Sequence, residues 1–329
     1  MKKYKTCKIL LVILAIFLCV AFYELLGICV AYKKQPEVSN TTKKETKNGS
    51  WNECSENTER AVIIEKNPEA LLQRVRLIKN AKKEIILSTF AFQSDESGKL
   101  ILGALHDAAD RGVHIRLLVD GMESWIDMEG NPYFYGLSSH ENVEIKLYNK
   151  ANPLKPWKMM GRMHDKYLIA DGKRYILGGR NTYNYFLGDF PGHKNYDRDV
   201  LVVCDEPEKE NSVNQLSEYF ETIWNQEDSG YFHNNKKLAN RKSVKNAVLE
   251  LQNGYQKYFE ENKERICDTD YTDETFETEK IALVSNPIHT GPKEPVVWYQ
   301  LGELMKNAKE RVKIHTPYII CNDMMYNTW

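Results

Sequence analysis

Apolar residues follow three regimes along the chain. From Ile9 to Tyr32 they are nearly continuous, "ILLVILAIFLCVAFYELLGICVAY", with Glu24 the one charged residue. Between Lys33 and Arg60 they become sparse. After that, helical spacing alternates with short strand-like runs. "PEALLQRVRLIKNA" has the 3.6-residue period of a helix, and "KEIILSTFAF" reads as a strand. "GKLILGALHDAADRG" reads as a helix that stops at Gly112, a residue suited to a left-handed C-cap. "VHIRLLVDG", "VEIKLYN" and "DVLVVCD" are further strands. Helices alternating with strands predict an α/β fold, a sheet covered on both faces.

A helix-strand unit recurs. "LIKNAKKEIILSTFAF" (77–92) is echoed by "LMKNAKERVKIHTPYI" (304–319), with identities at Leu77/Leu304, Lys79/Lys306, Asn80/Asn307, Ala81/Ala308, Lys82/Lys309 and Thr89/Thr316. An internal duplication accounts for this; chance similarity of two amphipathic units is the alternative. "SVNQLSEYFETIWNQ" and "SVKNAVLELQNGYQKYFEENKERI" lie between the two copies and read as helices that link or cover them.

The candidate chemistry lies in "MHDKYLIADGKRYILGGRN" (163–181). Tyr167–Ala170 and Arg174–Leu177 are two strands around Asp171-Gly172, a strong hairpin signal. Alternate side chains share a strand face, so His164 and Lys166 point one way and Asp165 the other. Two titratable groups on an apolar face are costly unless paired or used. Gly178 and Gly179 permit close approach of backbone or ligand. Asn181 precedes "TYNYFLG", which reads as a helix start that Asn181 would cap.

His164, Lys166, Asp171, Gly178-Gly179 and Asn181 resemble the HxKx4Dx6G[GS]xN motif of the phospholipase D superfamily. Six matched positions at fixed spacing carry the likeness, and the surrounding residues look like bacterial cardiolipin synthases. It runs from about Glu65 to the last residue and is weaker between Glu206 and Glu279. It implies a mixed sheet with helices on both faces, built as two similar halves. Two motifs then face each other: one histidine attacks phosphorus, and the other protonates the leaving alkoxide and later acts as base. By resemblance Lys166 and Asn181 hold the phosphoryl oxygens, and no metal or cofactor takes part. His164 is nucleophile or acid. Asp171 belongs to the motif and is counted with the catalytic set, although Asp-Gly at a hairpin tip is structural on its own terms. Gly178 and Gly179 support the site. Asp199, in "YDRDVLV", resembles an acidic residue that orients a histidine; a plain strand-entry aspartate is the alternative.

By the repeat offset, a second His164 equivalent falls near about residue 391, whereas the sequence ends at Trp329. None of the other seven of the eight histidines stands in an HxK. The expectation is a two-motif protein whose second half is cut short, so that this chain has little or no activity by itself; a catalytically silent fragment or binding module, or a site completed in a homodimer, are the alternatives.

Charge narrows the substrate. A net charge of -1 gives none of the basic bias of a nonspecific nucleic-acid binder. Phospholipid and a membrane are therefore the expected partners; a phosphodiesterase on another substrate, nucleic acid included, is the runner-up. Lys2, Lys3, Lys5 and Lys8 before the apolar run outnumber Lys33 and Lys34 after it, which places the N-terminus in the cytoplasm and the catalytic part outside. An uncleaved anchor is preferred over a signal peptide, whose best cleavage candidate is Cys19-Val20-Ala21. The seven cysteines show no metal-ligand spacing and read as isolated thiols. "NPLKPWKMMGR" (152–162) mixes cations with apolar groups; it reads as a loop packed on the domain, with a lipid interface as the alternative.

The expected organisation is a cytoplasmic stub and anchor (1–32), a flexible linker (33–60), a first half bearing the motif (61–205), a helical connector (206–279) and the start of a second half (280–329).

Overall fold

The computed structural model describes residues 2–49, 59–204, 211–233, 235–316, 318, 320 and 323–326. It divides into two compact units. One comprises Met1–Glu53, Asn152–Gly161 and Ala282–Trp329; the other comprises Cys54–Ala151 and Arg162–Ile281.

In the first unit, α1 (Lys2–Tyr32) contains a window, Lys8–Tyr32, long and apolar enough to cross a membrane. The expected flexible linker is partly helical. Helix α2 (Asn40–Asn48) starts where the Ser39 side chain accepts the Thr42 N–H and ends at Gly49, whose φ of 72° suits the left-handed cap. Glu294 holds it by accepting from the Ser39 N–H and the Thr42 hydroxyl at 2.8 and 2.7 Å. Caps at both ends and a carboxylate partner order a polar segment whose composition alone suggested none. Residues 50–58 of that linker, and Cys54 and Cys321, lie outside the described residues.

The second unit is built on a sheet of nine strands among the described residues. In chain order these are β1 (Glu59–Ile64), β2 (Glu84–Thr89), β3 (His114–Asp120), β4 (Val143–Tyr148), β5 (Tyr167–Ala170), β6 (Arg174–Gly178), β7 (Asp199–Cys204), β8 (Ser229–Tyr231) and β9 (Phe276–Glu277). Their spatial order is β8-β4-β3-β2-β5-β6-β7-β1-β9. β2, β3 and β4 are parallel, and every other pairing is antiparallel.

Both faces are covered, as the alternating pattern predicts. Ile85, Leu87, Ile115, Leu117, Val119 and Ile145 lie in the core with Leu71 and Val75 of α3 (Asn67–Asn80) and Leu102 and Leu105 of α4 (Glu96–Asp110). Next in chain order come α5 (Gly121–Asp127) and α6 (Pro132–Ser138). The opposite face carries Arg116 and Lys146, which α7 (Ser212–Trp224) takes up: the Arg116 guanidinium stacks 4.8 Å from the Phe220 ring, and Lys146 donates to the Trp224 carbonyl at 2.8 Å.

The described part of 206–279, expected as a helical connector, supplies both edge strands, β8 against β4 and β9 against β1, and α8 (Lys242–Glu261), which packs on α4 and α6. Two- and three-residue edge strands carry too little alternation to be read in sequence. In the 304–319 repeat, α9 (Val296–Lys306) forms as α3 does, but 311–316 form no strand.

The β5–β6 hairpin closes where Lys173 N–H donates to the Ala170 carbonyl at 3.0 Å, with Asp171 and Gly172 at φ 55° and 61°. Both central residues are left-handed, as a type I′ turn requires. The Asp171 carboxylate accepts the backbone N–H groups of Lys82, Lys83 and Glu84 at 2.8, 2.7 and 3.0 Å. It thereby fastens the hairpin tip to the α3–β2 connection. Replacing Asp171 by Ala should lower unfolding stability by about 1–3 kcal/mol. Asp171→Asn, which keeps an acceptor oxygen, should recover part of that. The check is the urea midpoint of the purified chain; an unchanged midpoint in Asp171→Ala would show that the carboxylate supports nothing.

Candidate active site

The site is assembled at the C-terminal end of β3. That strand finishes in Asp120, whose side chain is wholly buried. Its carboxylate accepts the N–H groups of Met122 and Met163, each at 3.0 Å, and Nε of Arg162 at 2.9 Å. A buried carboxylate without such partners would cost several kcal/mol. With them it becomes a clamp on the two residues just before His164.

From there the chain alternates as expected. The Lys166 ammonium lies 3.1 Å from His164 Nδ1 and donates to the His164 carbonyl at 2.7 Å. Asp165 points to the other face, where its carboxylate accepts the Tyr219 hydroxyl of α7 at 2.8 Å. The Phe90 ring, just beyond β2, packs edge-on against His164 at 4.6 Å between centroids and lies 5.5 Å from the Lys166 ammonium. His164 is open to solvent, and Lys166 is buried behind it.

These surroundings tune both groups. Partial burial, then the Lys166 and Arg162 charges, hold the His164 imidazole below its ordinary range, against an opposing pull from Asp120. It is therefore neutral near pH 7, the state in which a ring nitrogen can attack. Burial pulls the Lys166 ammonium down to about 8, with Asp165 and Asp197 acting to keep it charged.

The rest of the motif builds the floor. Asn181 is buried, and its side-chain oxygen accepts the Ala91 N–H at 3.3 Å. Thr182 pairs with Phe92 through Thr182 N–H to Ala91 O at 3.1 Å and Gln93 N–H to Thr182 O at 3.2 Å. That bridging explains why "TYNYFLG" forms turns and not the helix expected after Asn181. Gly178 and Gly179 leave room for two carboxylates: a Cβ at Gly178 would stand 2.0 Å from Asp199 Oδ1, and one at Gly179 2.0 Å from Asp197 Oδ2.

Two expected members fall outside this cluster. Asp171 lies beyond the far end of β5 and spends its carboxylate on backbone N–H groups, so it supports the fold and does not join His164. Asp199 is fully buried between Arg74 Nη1 at 2.9 Å and Arg180 Nη1 at 3.2 Å; it pairs with these cations and does not orient His164. Its neighbour Asp197 is the carboxylate that lies over Gly179 and acts on Lys166. Sequence reading missed Asp120, Phe90, Asp197 and Tyr219. Asp120 had a signal: a carboxylate ending the parallel strand "LLVD", the end where α/β sheets place their sites. Among the described residues no group of three or more His, Cys, Asp or Glu side chains is arranged to hold a metal ion.

Comparison with known proteins follows the same lines. Residues 74–224 match the family model described as "Cardiolipin synthase, PLD-like domain". An uncharacterised protein of Helicobacter pylori strain J99 is 28% identical over 292 residues, covering 79% of this chain and 54% of that protein. Cardiolipin synthase C of Escherichia coli K12 is 30% identical over 154 residues, 43% of this chain and 31% of that one. Among solved structures, NucT from Helicobacter pylori aligns with 53% of this chain and 99% of its own at 17% identity and a TM-score of 0.41. The chain spans about half the length of the Helicobacter relatives it matches. Residues 74–224, a little under half of the chain, are thus similar to the phospholipase D-like domain of cardiolipin synthases, a likeness that supports the phospholipase D superfamily.

Proposed function

We propose that the chain acts on phospholipid phosphodiesters as a phosphatidyltransferase or phospholipase, through a phosphohistidine formed at His164. The observation that carries the reading is the solvent-open, neutral His164 imidazole set against the buried Lys166 ammonium. A ring nitrogen attacks phosphorus and forms a P–N bond as the P–O bond to the leaving alkoxide breaks. Water or an alcohol then attacks the phosphohistidine, yielding the phosphomonoester or the transferred phosphodiester and freeing the imidazole. The Lys166 ammonium offsets charge that builds on the phosphoryl oxygens, and the Asn181 amide N–H donates to them. Asp197 keeps the Lys166 charge in place.

The leaving alkoxide needs a proton from a second group. Among the described residues the His164 ring contacts are Phe90 and Lys166, so we assign that role to the histidine of a second copy of the motif, as in a homodimer. The lipid assignment rests on α1 and the near-neutral net charge. In this reading α1 anchors the chain, the N-terminal lysines stay in the cytoplasm and the catalytic unit lies outside.

His164→Ala should cut turnover of a short-chain phosphatidylglycerol by about 10³-fold or more. Alkaline quenching of the active chain should leave a phosphoryl adduct on the peptide bearing His164. Undiminished turnover in His164→Ala would sink the assignment.

The pH profile has a definite sign. His164 must be neutral, so kcat/KM should rise with pH through a value below the ordinary 6.5. Lys166 must be charged, so kcat/KM should fall as pH climbs through about 8. Lys166→Arg keeps its charge and should move the alkaline limb upward by more than about one unit. An alkaline limb unmoved by Lys166→Arg would separate that limb from Lys166.

A further inference from the structure

The loop Asn152–Gly161 belongs to the same compact unit as the apolar helix α1, and its short 3-10 turn, Pro156–Lys158, packs on that helix. The Tyr23 hydroxyl donates to the Leu154 carbonyl at 3.0 Å. At Gly27 a Cβ would stand 2.5 Å from Pro156 Cγ, so only glycine lets the loop come this close. The partly covered positions of this stretch, Ala21, Glu24, Gly27, Ile28 and Ala31, recur at helical spacing and form one stripe. Leu25 and Val30, on other faces, stay 63% and 66% exposed. Helix α1 therefore gives one stripe to the chain and the remainder to its surroundings.

The loop also leaves apolar groups uncovered: Leu154 is 77% exposed, Trp157 45% and Met160 57%. Lys155 and Lys158 stand among them. We propose that this loop is a lipid-contacting element, seated in the head-group layer of the bilayer that holds α1. The inference rests on the anchor reading above and adds a second contact with the membrane. Its depth follows from helix geometry. The 25-residue window of α1 measures about 36 Å at 1.5 Å per residue, slightly more than a hydrocarbon core of about 30 Å. Gly27 lies five residues from Tyr32, hence about 7 Å inside the helix end. With the excess shared between both ends, Gly27 lies about 4 Å below the boundary between acyl chains and head groups, within reach of it for the loop packed there. Trp and Lys favour this boundary, where a ring or an alkyl stem meets hydrocarbon and a polar tip meets phosphate. The loop ends at Gly161, three residues before His164 along the chain.

The test uses the full chain with its native cysteines replaced, reconstituted in vesicles of phosphatidylglycerol and phosphatidylcholine. Single cysteines at Leu154→Cys, Met160→Cys and, as a control on α1, Leu26→Cys carry an environment-sensitive fluorophore. Lipids spin-labelled at the head group should quench positions 154 and 160 at least twofold more than lipids labelled deep in the acyl chain. Position 26 should be quenched by lipid in either case. Quenching at 26 with none at 154 and 160 overturns the proposal and leaves the anchor standing, whether those labels prove open to aqueous iodide or shielded by protein. Lack of quenching at all three positions overturns the anchor reading and this one with it. Charge reversal at Lys155→Glu and Lys158→Glu should weaken the head-group quenching at 154; an unchanged value overturns the part given to the lysines.

Discussion

A carboxylate with no access to water, Asp199, sits between the guanidinium groups of Arg74 and Arg180, and much of the motif's architecture follows from it. Neither oxygen receives an aligned N–H, so the attraction is that of charges held close and not of directed hydrogen bonds. Arg180 aims its N–H groups elsewhere, at the carbonyls of Ile64 and Glu65 and the side-chain oxygen of Asn67. One desolvated cluster thus joins the end of β1, the start of α3, the glycine turn after β6 and the first residue of β7. Removing one arginine would leave a buried carboxylate undercompensated, a change that typically costs about 3–5 kcal/mol.

The proposed reaction works with a narrower margin. In it His164 has to stay neutral while Lys166, in contact with it, has to stay charged. Burial acts on both in the same direction, because it disfavours either cation. It helps the histidine and works against the lysine. Asp165 and Asp197 offset that cost at the lysine, while Asp165 itself is held by Tyr219 on the far face of the sheet. The electrostatic balance of the site therefore depends on α7, which contributes no group to the motif.

Much of this was legible in the sequence because local rules decide it. The periodicity placed α3, α4, β2, β3, β4 and β7, and Asp-Gly placed the hairpin. Strand alternation put His164 with Lys166 and Asp165 opposite. What stayed hidden depends on partners remote in sequence. Nothing near Asp199 announces that Arg74, more than a hundred residues earlier, will claim it. Capping by Ser39 and Gly49 outweighed a polar composition in α2, while 311–316 form no strand despite their β-prone residues. Motif membership placed Asp171, and resemblance to an acidic residue after the motif placed Asp199, near the chemistry; in the structure Asp171 accepts backbone N–H groups and Asp199 pairs with Arg74 and Arg180.

Strand β5 is four residues long, Tyr167–Ala170, and it fills the whole interval between Lys166 and Asp171. One end is fixed by the Asp120 clamp just before His164, the other by the three N–H groups that Asp171 collects. An added or deleted residue would turn Lys166 to the opposite face or pull Asp171 off its donors, because side chains alternate with a period of two. The fixed count between the lysine and the aspartate is therefore a strand length. The spacing works as a ruler for the sheet, and the distance it keeps constant is between two anchor points and not between two reacting groups.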